Sequence, residues 1–545
     1  MINDIRFSKK KEDTVSRYVM PTAVAVQKDA QNSDVLLKEH PRQALIFGCF
    51  EYCTIKKGGY VVLDMGCEIH GGADITFEKQ FKASKTVRVT FGESVMESLS
   101  EIGIKNATND HSTRDFDFCT SGAMNVKYGN TGYRFIKIEA MECDVYIKSV
   151  QGIFVYRDIE YIGSFECNDE KINKIWQVGA YTTHLNMQEY LWDGIKRDRL
   201  VWMGDTNPEI LTICSVFGYN DVVPKSMDLI METTPLDKWM NNNTPTYTNW
   251  WLINQYDWYM QNGDLKYLIE RKGYIFETIK KIIDCISNDG ELDYPKYFCD
   301  WSSADTNDEI IGAYSVTILG LKAAARLSGF LENNYLKSDC ERAVKLLLKK
   351  KFNVFKNKQT AALYALSGGT DCKKMSESLL LKDGAHGMST FLGGYVLRAM
   401  KSGGFGTDAI NIMRDYWGAM LDYGATTFWE DFDIGWITDK TVGIDKIVPD
   451  GMLDIHGDCG KFCYKQFRHS LCHGWASGPT SFLSQCVTGI EILEPGCKKV
   501  RIKPELCGLE CIKTKYPTPL GIIDVKKEKN SAPEITVPDG IEVVE

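Results

Sequence analysis

The chain has 545 residues, of which 44% are hydrophobic and 25% are charged, and its net charge is -9 at pH 7. This length predicts more than one domain and at least one large core, with the composition of a soluble globular protein. No Lys/Arg-rich block rises above its surroundings, so neither nucleic acid nor an anionic membrane is an expected partner. We also expect no membrane span, since no run of about 18 apolar residues occurs.

The first twenty residues contain basic side chains without an apolar stretch after them, so we expect no signal peptide. The 18 cysteines are scattered and do not form the paired CxxC pattern of a structural zinc site. Reduced thiols in a cytoplasmic protein, without a metal or other cofactor, are therefore expected.

Residues 1–40 are expected to be an N-terminal extension, and residues 41–165 a β-sandwich domain. Short alternating or apolar runs separated by glycine-rich turns are typical of sandwich strands. The predicted strands are residues 60–64, 86–91, 133–139 and 145–156.

The hydrophobic period becomes helical after residue 165, where Asn168 or Asp169 is a suitable helix N-cap. Residues 166–488 are predicted to form roughly ten to twelve helices. The clearest are residues 265–286, 309–327, 334–350, 388–400, 408–420 and 470–487. Short turns alternating with long aromatic loops favour a closed (α/α)6 toroid whose long loops gather at one end.

Residues 489–545 are predicted to return to β structure, as a C-terminal β-sandwich. Asp539-Gly540 is a hairpin signal between the last two predicted strands. The expected fold class is therefore a multidomain α and β protein, with a central (α/α)6 toroid flanked by an N-terminal and a C-terminal β-sandwich.

The densest polar segment lies between two predicted helices. It contains Asp193, Arg197, Asp198, Arg199, Trp202, Asp205 and Glu209. Carboxylates beside guanidinium groups and an indole ring suit a sugar-cleaving site, because carboxyls transfer protons and an aromatic face covers a pyranose. The alternative is a structural network of Asp/Arg salt bridges that joins a helix to a loop.

More acidic and aromatic side chains fall where later helices are interrupted: Trp250, Trp251, Asp300, Trp301, Trp429, Glu430 and His473. His469 and His473 have the i, i+4 spacing of one helix face, but no HExxH pattern accompanies them, so a metal site is not expected. If the acidic clusters near residues 200 and 430 face each other, a gap of roughly 6.5–9.5 Å would imply an inverting glycosidase.

This pattern resembles that of the bacterial α-L-rhamnosidases, a family with an (α/α)6 catalytic barrel flanked by β-sandwich domains. The family signature Asp-x-x-x-Arg-(Glu/Asp)-Arg-x-x-Trp-x-Gly-Asp is matched by Asp193, Arg197, Asp198, Arg199, Trp202, Gly204 and Asp205. Thr427-Phe-Trp429-Glu430 is similar to the family's Thr-x-Trp-Glu segment. Weaker similarities cover residues 63–66, 91–93, 129–135, 164–168 and 495–504.

The resemblance implies that Asp198 is the general acid and Glu430 the general base. The family commonly has Glu at the acid position, and Asp is shorter by one methylene, so Asp205 and Glu209 stay open as alternative acids. The arginines beside Asp198 also oppose the protonated state that an acid needs.

The expected substrate-binding residues are Asp193, Arg197, Trp202, Asp205, Glu209, Trp250, Trp251, Asp300, Trp301, Trp429 and His473. By resemblance, Asp193 and Asp205 contact rhamnose hydroxyls and tune the acid. Arg197 and Trp202 hold this cluster together.

The expected function is that of an inverting α-L-rhamnosidase-like glycoside hydrolase, whose partner is a carbohydrate or glycoside substrate. The same fold could act on a different neutral or deoxy sugar, or the chain could be a catalytically weakened sugar-binding homologue. A homodimer is compatible with the sequence.

Overall fold

The computed structural model describes residues 13–39, 51–78, 85–120, 122–304, 307–462 and 464–544. The N-terminal part is a seven-stranded sheet with the order β1-β7-β3-β6-β4-β5, and β2 pairs with β3. Its elements are β1 Val15–Val19, β2 Ala23–Gln31, β3 Cys53–Phe77, β4 Lys85–Gly92, α1 Val95–Leu99, β5 Asp115–Thr120, β6 Met124–Ala140 and β7 Val145–Tyr156. The predicted strands fall within β3, β4, β6 and β7.

Residues 13–39 belong to this sheet and do not form a separate extension. Strand β1 pairs antiparallel with β7, and β2 pairs antiparallel with β3. Val24 and Val26 on β2 are partly buried against the sheet, the period-two pattern of a half-buried strand. The boundary predicted at residue 41 therefore does not mark the start of the β structure.

The middle of the chain is a helical toroid built from six helical hairpins. Its helices are α2 Glu170–Asn186, α3 Thr206–Val216, α4 Val222–Thr233, α5 Met240–Asn243, α6 Pro245–Asn262, α7 Leu265–Asp284, α8 Asn307–Phe330, α9 Asn334–Leu347, α10 Lys358–Leu366, α11 Cys372–Met375, α12 Gly393–Ser402, α13 Gly406–Asp422 and α14 Gly478–Ser481. Single π turns follow α11 and α14, at Ser376–Leu380 and Phe482–Val487.

The inner ring consists of α3, α6, α8, α10, α12 and α14 with its π turn, since residues from these elements line an axial cavity or pack beside it. Helices α6 and α8 are buried on most sides, whereas α7 and α9 bury one narrow stripe, as expected for inner and outer positions. Among the described helices, α8 alone is long and apolar enough to cross a membrane, and 78% of its apolar stretch is buried in the toroid.

Two predicted helices begin later than expected. Helix α12 starts at Gly393 because Ser389 and Thr390 lie in a loop and hydrogen bond to Asp300 and the Glu430 carbonyl. The segment predicted as residues 470–487 is irregular up to the 3-10 turn Gly474–Ser477. The side chains and peptide groups of these segments form hydrogen bonds to other residues at the end of the toroid. These hydrogen bonds outweigh the local helix propensity.

The chain enters and leaves the toroid through the C-terminal β structure. Strand β8 Ser164–Cys167, just before α2, pairs with β13 in a four-stranded sheet of order β15-β14-β13-β8. A second sheet has the order β11-β12-β16, and both share one buried cluster. The remaining strands are β9 Thr441–Val442, β10 Leu453–Asp454, β11 Ile490–Glu494, β12 Lys499–Ile502, β13 Cys511–Thr518, β14 Gly521–Glu528, β15 Glu534–Thr536 and β16 Glu542–Val544.

Candidate active site

A pocket of about 350 Å³ opens at the end of the toroid where the inner helices begin. It is lined by Asp193, Arg197, Asp198, Trp202, Asp205, Asn242, Thr244, Tyr247, Lys296, Phe298, Trp301, Glu430, Tyr464, Arg468, His473 and Trp475. Eight of the thirteen predicted site residues are in this set. The long loops therefore gather at one end of the toroid, as the sequence predicts.

The α2–α3 connection turns Arg197 and Asp198 into the pocket. Its two sides are joined by hydrogen bonds of 2.9 Å between Asp193 and Leu200, from the Asp193 N–H to the Leu200 carbonyl and from the Leu200 N–H to Asp193 Oδ1. At the tip, Asp198 and Arg199 have left-handed backbone conformations, with φ of 54° and 55°. Non-glycine residues adopt this conformation only where the surroundings enforce it.

Glu430 is buried and is bound through both carboxylate oxygens. Arg197 Nη2 donates to Oε1 at 2.8 Å, and the Ser470 N–H donates to Oε2 at 3.0 Å. Its peptide carbonyl accepts hydrogen bonds from Thr390 Oγ1 at 2.6 Å and Trp475 Nε1 at 2.9 Å. These contacts hold the carboxyl group in one orientation at the pocket wall.

Arg197 also contacts Asp198, the second candidate catalytic carboxyl. Its Nη1 lies 3.0 Å from Asp198 Oδ1, while Nη2 holds Glu430. Since one guanidinium bridges both carboxylates, their oxygens cannot be more than about 8 Å apart, a limit that includes both the retaining spacing of about 5–5.5 Å and the shorter part of the inverting range. Burial lowers the pKa of Arg197, but the charges of Glu430 and Asp198 outweigh this effect and raise it overall.

Burial raises the pKa of two further carboxyls in the pocket, which favours their protonated form. Burial raises the pKa of Asp205 well above its usual range, and the nearby Asp193 charge adds to this effect. Burial likewise raises the pKa of Asp193, with Asp198 contributing. Tyr247 Oη lies 3.2 Å from Asp205 Oδ2. Both groups can therefore donate as well as accept hydrogen bonds, as the recognition of sugar hydroxyls requires.

His473 lies between the carboxyls of Glu430 and Asp193. Its Nε2 is 3.5 Å from Glu430 Oε1 and 3.7 Å from Asp193 Oδ2. Burial lowers the pKa of His473 to about 4, so the ring is neutral near pH 7. His469 does not share a helix face with it. That ring is buried, and its Nε2 accepts the Asp431 N–H at 2.8 Å.

In the described part of the chain, one group of side chains has the spacing of metal ligands, and it lies outside the pocket. Ligand atoms of Glu93, Glu97 and His456 all lie within 4.8 Å of one another. The ammonium of Lys196 is 2.7 Å from Glu93 Oε2 and 3.2 Å from Glu97 Oε1, so a side chain already supplies the positive charge. This is an internal ion-pair cluster, and it joins the N-terminal sheet to the α2–α3 connection.

Known proteins resemble this chain in its helical domain. Residues 160–366 match the bacterial alpha-L-rhamnosidase 6 hairpin glycosidase domain. The resemblance to the bacterial α-L-rhamnosidases is confirmed. An α-L-rhamnosidase of Formosa agariphila is 28% identical over 94 residues, which is 17% of this chain and 10% of that protein.

Solved rhamnosidases share the fold of this six-hairpin protein. The GH78 family rhamnosidase of Bacillus sp. GL1 aligns with a TM-score of 0.74 and 19% identity, over 93% of this chain and 55% of its own. The rhamnosidase of Klebsiella oxytoca, solved with rhamnose bound, aligns with a TM-score of 0.68 and 19% identity, over 86% of this chain and 95% of its own. The chain thus spans about half of the Bacillus protein but nearly all of the Klebsiella one.

Four of the residues expected to bind substrate lie elsewhere. Glu209 is completely buried behind the pocket wall, against the backbone of Gly474. Trp251 and Trp429 are core residues, and Trp250 lines the separate axial cavity of about 450 Å³. Trp250 and Trp251 lie inside the inner helix α6, whereas Trp429 lies in a loop but is buried against Phe432.

Asp300 lies next to the pocket but not in it. It lines a small adjoining recess that Glu430 also borders. Its Oδ2 accepts hydrogen bonds from Ser302 Oγ at 3.1 Å and Ser389 Oγ at 3.2 Å. Its neighbour Trp301 does line the pocket, 6.0 Å in ring centroid distance from Tyr464.

Several residues of this pocket had no specific signal in the sequence. They are Asn242, Thr244, Lys296, Tyr464 and Arg468. Tyr464 packs under the guanidinium of Arg197 at 5.4 Å from its ring centroid. A weak signal exists for the last two, because the irregular stretch before His469 is rich in aromatic and basic residues.

Proposed function

We propose that this protein is an inverting glycoside hydrolase of the α-L-rhamnosidase type, which releases a terminal α-L-rhamnosyl residue from a glycoside. The observation that carries the proposal is the Arg197 bridge, which brings Asp198 and Glu430 to one pocket within a rhamnosidase six-hairpin domain. The pocket volume of about 350 Å³ lies at the small end of ligand sites, which favours one terminal sugar.

Glu430 is proposed as the general base. The Arg197 and Ser470 hydrogen bonds stabilise its carboxylate, and its position at the pocket wall allows it to take a proton from a water that attacks the anomeric carbon. Asp198 is proposed as the general acid, which protonates the glycosidic oxygen as the bond to the anomeric carbon breaks. With an attacking water between the carboxyl groups, the configuration at that carbon inverts.

Sugar recognition is assigned to the remaining groups of the pocket. Burial raises the pKa of Asp193 and Asp205, and in the protonated form that this favours their carboxyls can hydrogen bond to ring hydroxyls as donors and acceptors. Trp202, Trp301 and Trp475 supply apolar surface for the sugar face and for the methyl group of a 6-deoxy sugar. The same features would also accept another neutral or deoxy sugar.

The test uses 4-nitrophenyl α-L-rhamnopyranoside with the wild type, Glu430→Gln and Asp198→Asn. Wild-type turnover with the inverted anomer as first product by proton NMR, and a loss of about 10²–10⁴-fold in Glu430→Gln, would support the proposal. Retention of configuration, or equal rates for wild type and Glu430→Gln, would contradict it. A panel of aryl glycosides of other neutral sugars identifies the preferred sugar.

A further inference from the structure

The axial cavity of the toroid is a second space of ligand size, separate from the pocket. Its volume of about 450 Å³ lies within the usual range of small-molecule sites. None of the described residues lines both spaces. Helix α6 shows the separation, because Tyr247 lines the pocket whereas Asp257, about 15 Å further along the helix, lines the cavity.

Three cationic side chains line this cavity. Lys322 and Arg326 lie on α8, and Arg398 lies on α12. Within the described part of the chain, none of the three forms an ion pair with a carboxylate. Burial lowers the pKa of Lys322, and no carboxylate opposes this effect. The cavity wall therefore carries positive charge that the described residues do not pair.

The hydrogen bonds of two of these cations go to neutral acceptors. Lys322 Nζ donates to the Ser367 carbonyl at 2.8 Å, at the end of α10. Arg398 donates to three side chains of the last helical segment: Ser481 Oγ at 3.1 Å, Cys486 Sγ at 3.2 Å and Gln485 Oε1 at 3.3 Å. These contacts orient the cations without neutralising them, so an anion in the cavity gains attraction from full charges that are only partly screened.

A single carboxyl among the described lining residues opposes these cations. Asp257 Oδ2 accepts a hydrogen bond from Asn207 Nδ2 at 3.0 Å. Burial raises the pKa of Asp257 to about 6, although the Asn207 hydrogen bond and the charge of Arg398 lower it. Glu491 also acts electrostatically on this wall, but it is bound to Arg501 Nη1 at 2.5 Å. The cavity therefore keeps a net positive charge in a protein whose own net charge is -9.

The rest of the wall offers apolar surface. The rings of Trp250 and Tyr395 lie 5.4 Å apart, and Ile253 and Leu319 are further lining residues. Apolar walls with a few converging polar groups are typical of small-molecule sites. Guanidinium groups bind carboxylates and phosphates through paired hydrogen bonds, and the Asp257 carboxylate accepts from a hydroxyl.

We propose that the axial cavity is a second binding site, which takes a small hydroxylated anion such as a sugar acid or a sugar phosphate. The anionic group binds Arg326 and Arg398, a hydroxyl donates to Asp257, and the body of the ligand packs against Trp250. This site is independent of the proposed hydrolase function, because it shares no described lining residue with the pocket.

The test is titration calorimetry of the full chain with D-glucuronate, D-glucose 6-phosphate and D-glucose. We expect at least one of the two anions to bind about tenfold or more tightly than the neutral glucose, and its affinity to fall as NaCl is added. The tighter of the two anions identifies whether the site prefers a carboxylate or a phosphate. The readout is binding alone, so it does not depend on whether the protein hydrolyses rhamnosides.

Two pairs of variants locate the bound anion. Arg326→Gln and Arg398→Gln are each expected to weaken its binding by about tenfold or more. Arg342→Gln is the matched control, since Arg342 lies on the outer helix α9 and pairs with Asp339 at 2.9 Å. Lys296→Gln removes a cation from the pocket instead. Neither of these last two changes is expected to alter the affinity for the anion.

Three results would overturn the inference. One is the absence of binding by both anions at millimolar concentrations, and another is equal affinity for the anions and glucose. The third is a loss of binding in Lys296→Gln with none in Arg326→Gln, which would place the anion in the pocket. If Arg398→Gln does not fold, Arg326→Gln decides, because Arg326 is exposed at the cavity mouth and its replacement leaves the core intact.

Discussion

Arg197 Nη2 lies 2.8 Å from Glu430 Oε1, across 233 positions of sequence. Both side chains are almost completely buried, so the attraction between them is only weakly screened. The same guanidinium reaches Asp198 with its other nitrogen. One arginine of the α2–α3 connection thus fixes the positions of both candidate catalytic carboxyls relative to each other.

Replacing Arg197 is therefore expected to impair catalysis and, since it leaves the buried Glu430 carboxyl without its partner, to destabilise the fold as well. We expect Arg197→Met to lower kcat/KM for an aryl rhamnoside by about 10²–10³-fold, as for other positioned charged donors in active sites. Arg197→Lys should recover only part of this loss, because an ammonium cannot donate to both carboxyls in the guanidinium geometry. The matched control is Arg199→Lys, which we expect to change kcat/KM by less than about tenfold, since Arg199 contacts Asn130 and not Glu430. Wild-type activity in Arg197→Met would contradict the bridge.

Trp251 and Trp301 offer a comparison of two tryptophans, one in the core and one in the pocket. Trp251 is fully buried, and its Nε1 donates to the Met227 carbonyl at 3.2 Å. Trp251→Ala is expected to destabilise the fold by about 3–5 kcal/mol. Trp301→Ala should raise KM by roughly 3–10-fold with little change in the thermal midpoint, since it loses stacking against the sugar. Thermal unfolding and steady-state kinetics on both variants separate the two roles, and a reversed pattern would refute this assignment.

Acid sensitivity is expected from buried neutral histidines, and His70 is the clearest case. Burial and then the charge of Arg199 lower its pKa to about 3. Between pH 6.5 and 3 the unfolded ring binds a proton that the folded ring does not, so stability falls as pH falls, by at most about 1.4 kcal/mol per pH unit. His70→Gln removes this contribution to the pH dependence of the stability.

The measurement is the thermal midpoint of wild type and His70→Gln at pH 7.5 and pH 4.5. The variant is expected to lose fewer degrees than the wild type on acidification, whatever its stability at pH 7.5. An equal loss in both proteins would show that His70 does not contribute to the acid sensitivity.

The sequence predicted this site where chemistry is concentrated in loops. The Asp193–Asp205 motif and Trp429-Glu430 could be identified because their residue types match a known signature, and Asp193, Asp198, Asp205 and Glu430 all line the pocket. The structure places Trp250 and Trp251 outside the pocket, although both were expected to bind substrate. Composition does not tell whether a ring inside a helix faces the core or a ligand. The division into a helical toroid and flanking sheet domains followed from the change in hydrophobic period, which depends only on local sequence.

Contacts between distant segments could not be predicted in the same way. His111 meets Asp198 only because the N-terminal sheet docks on the toroid, and no local pattern near His111 indicates this. The same holds for Glu209, whose charged side chain is typical of a polar loop but is buried against Gly474. Such positions depend on tertiary packing, which one sequence without its relatives does not reveal.

Lys196 gives a final prediction about this docking. Its ammonium is buried between Glu93 and Glu97 of the N-terminal part and the carbonyls of Phe467 and His469 on the loop that leads to Ser470. Lys196→Met leaves buried acidic groups without their partner, which is expected to destabilise the protein by about 3–5 kcal/mol. Because Ser470 donates to Glu430 Oε2, kcat should also fall.

The double variant Lys196→Met, Glu93→Gln separates these two effects. Removing one of the orphaned carboxyls should restore part of the stability, since a buried neutral pair costs less than an unpaired buried charge. It should not restore kcat, because the link between Lys196 and the Phe467–Ser470 loop is still missing. Thermal unfolding and kcat are measured on both variants. Recovery of kcat together with stability would show that Lys196 acts on stability alone and does not position Glu430.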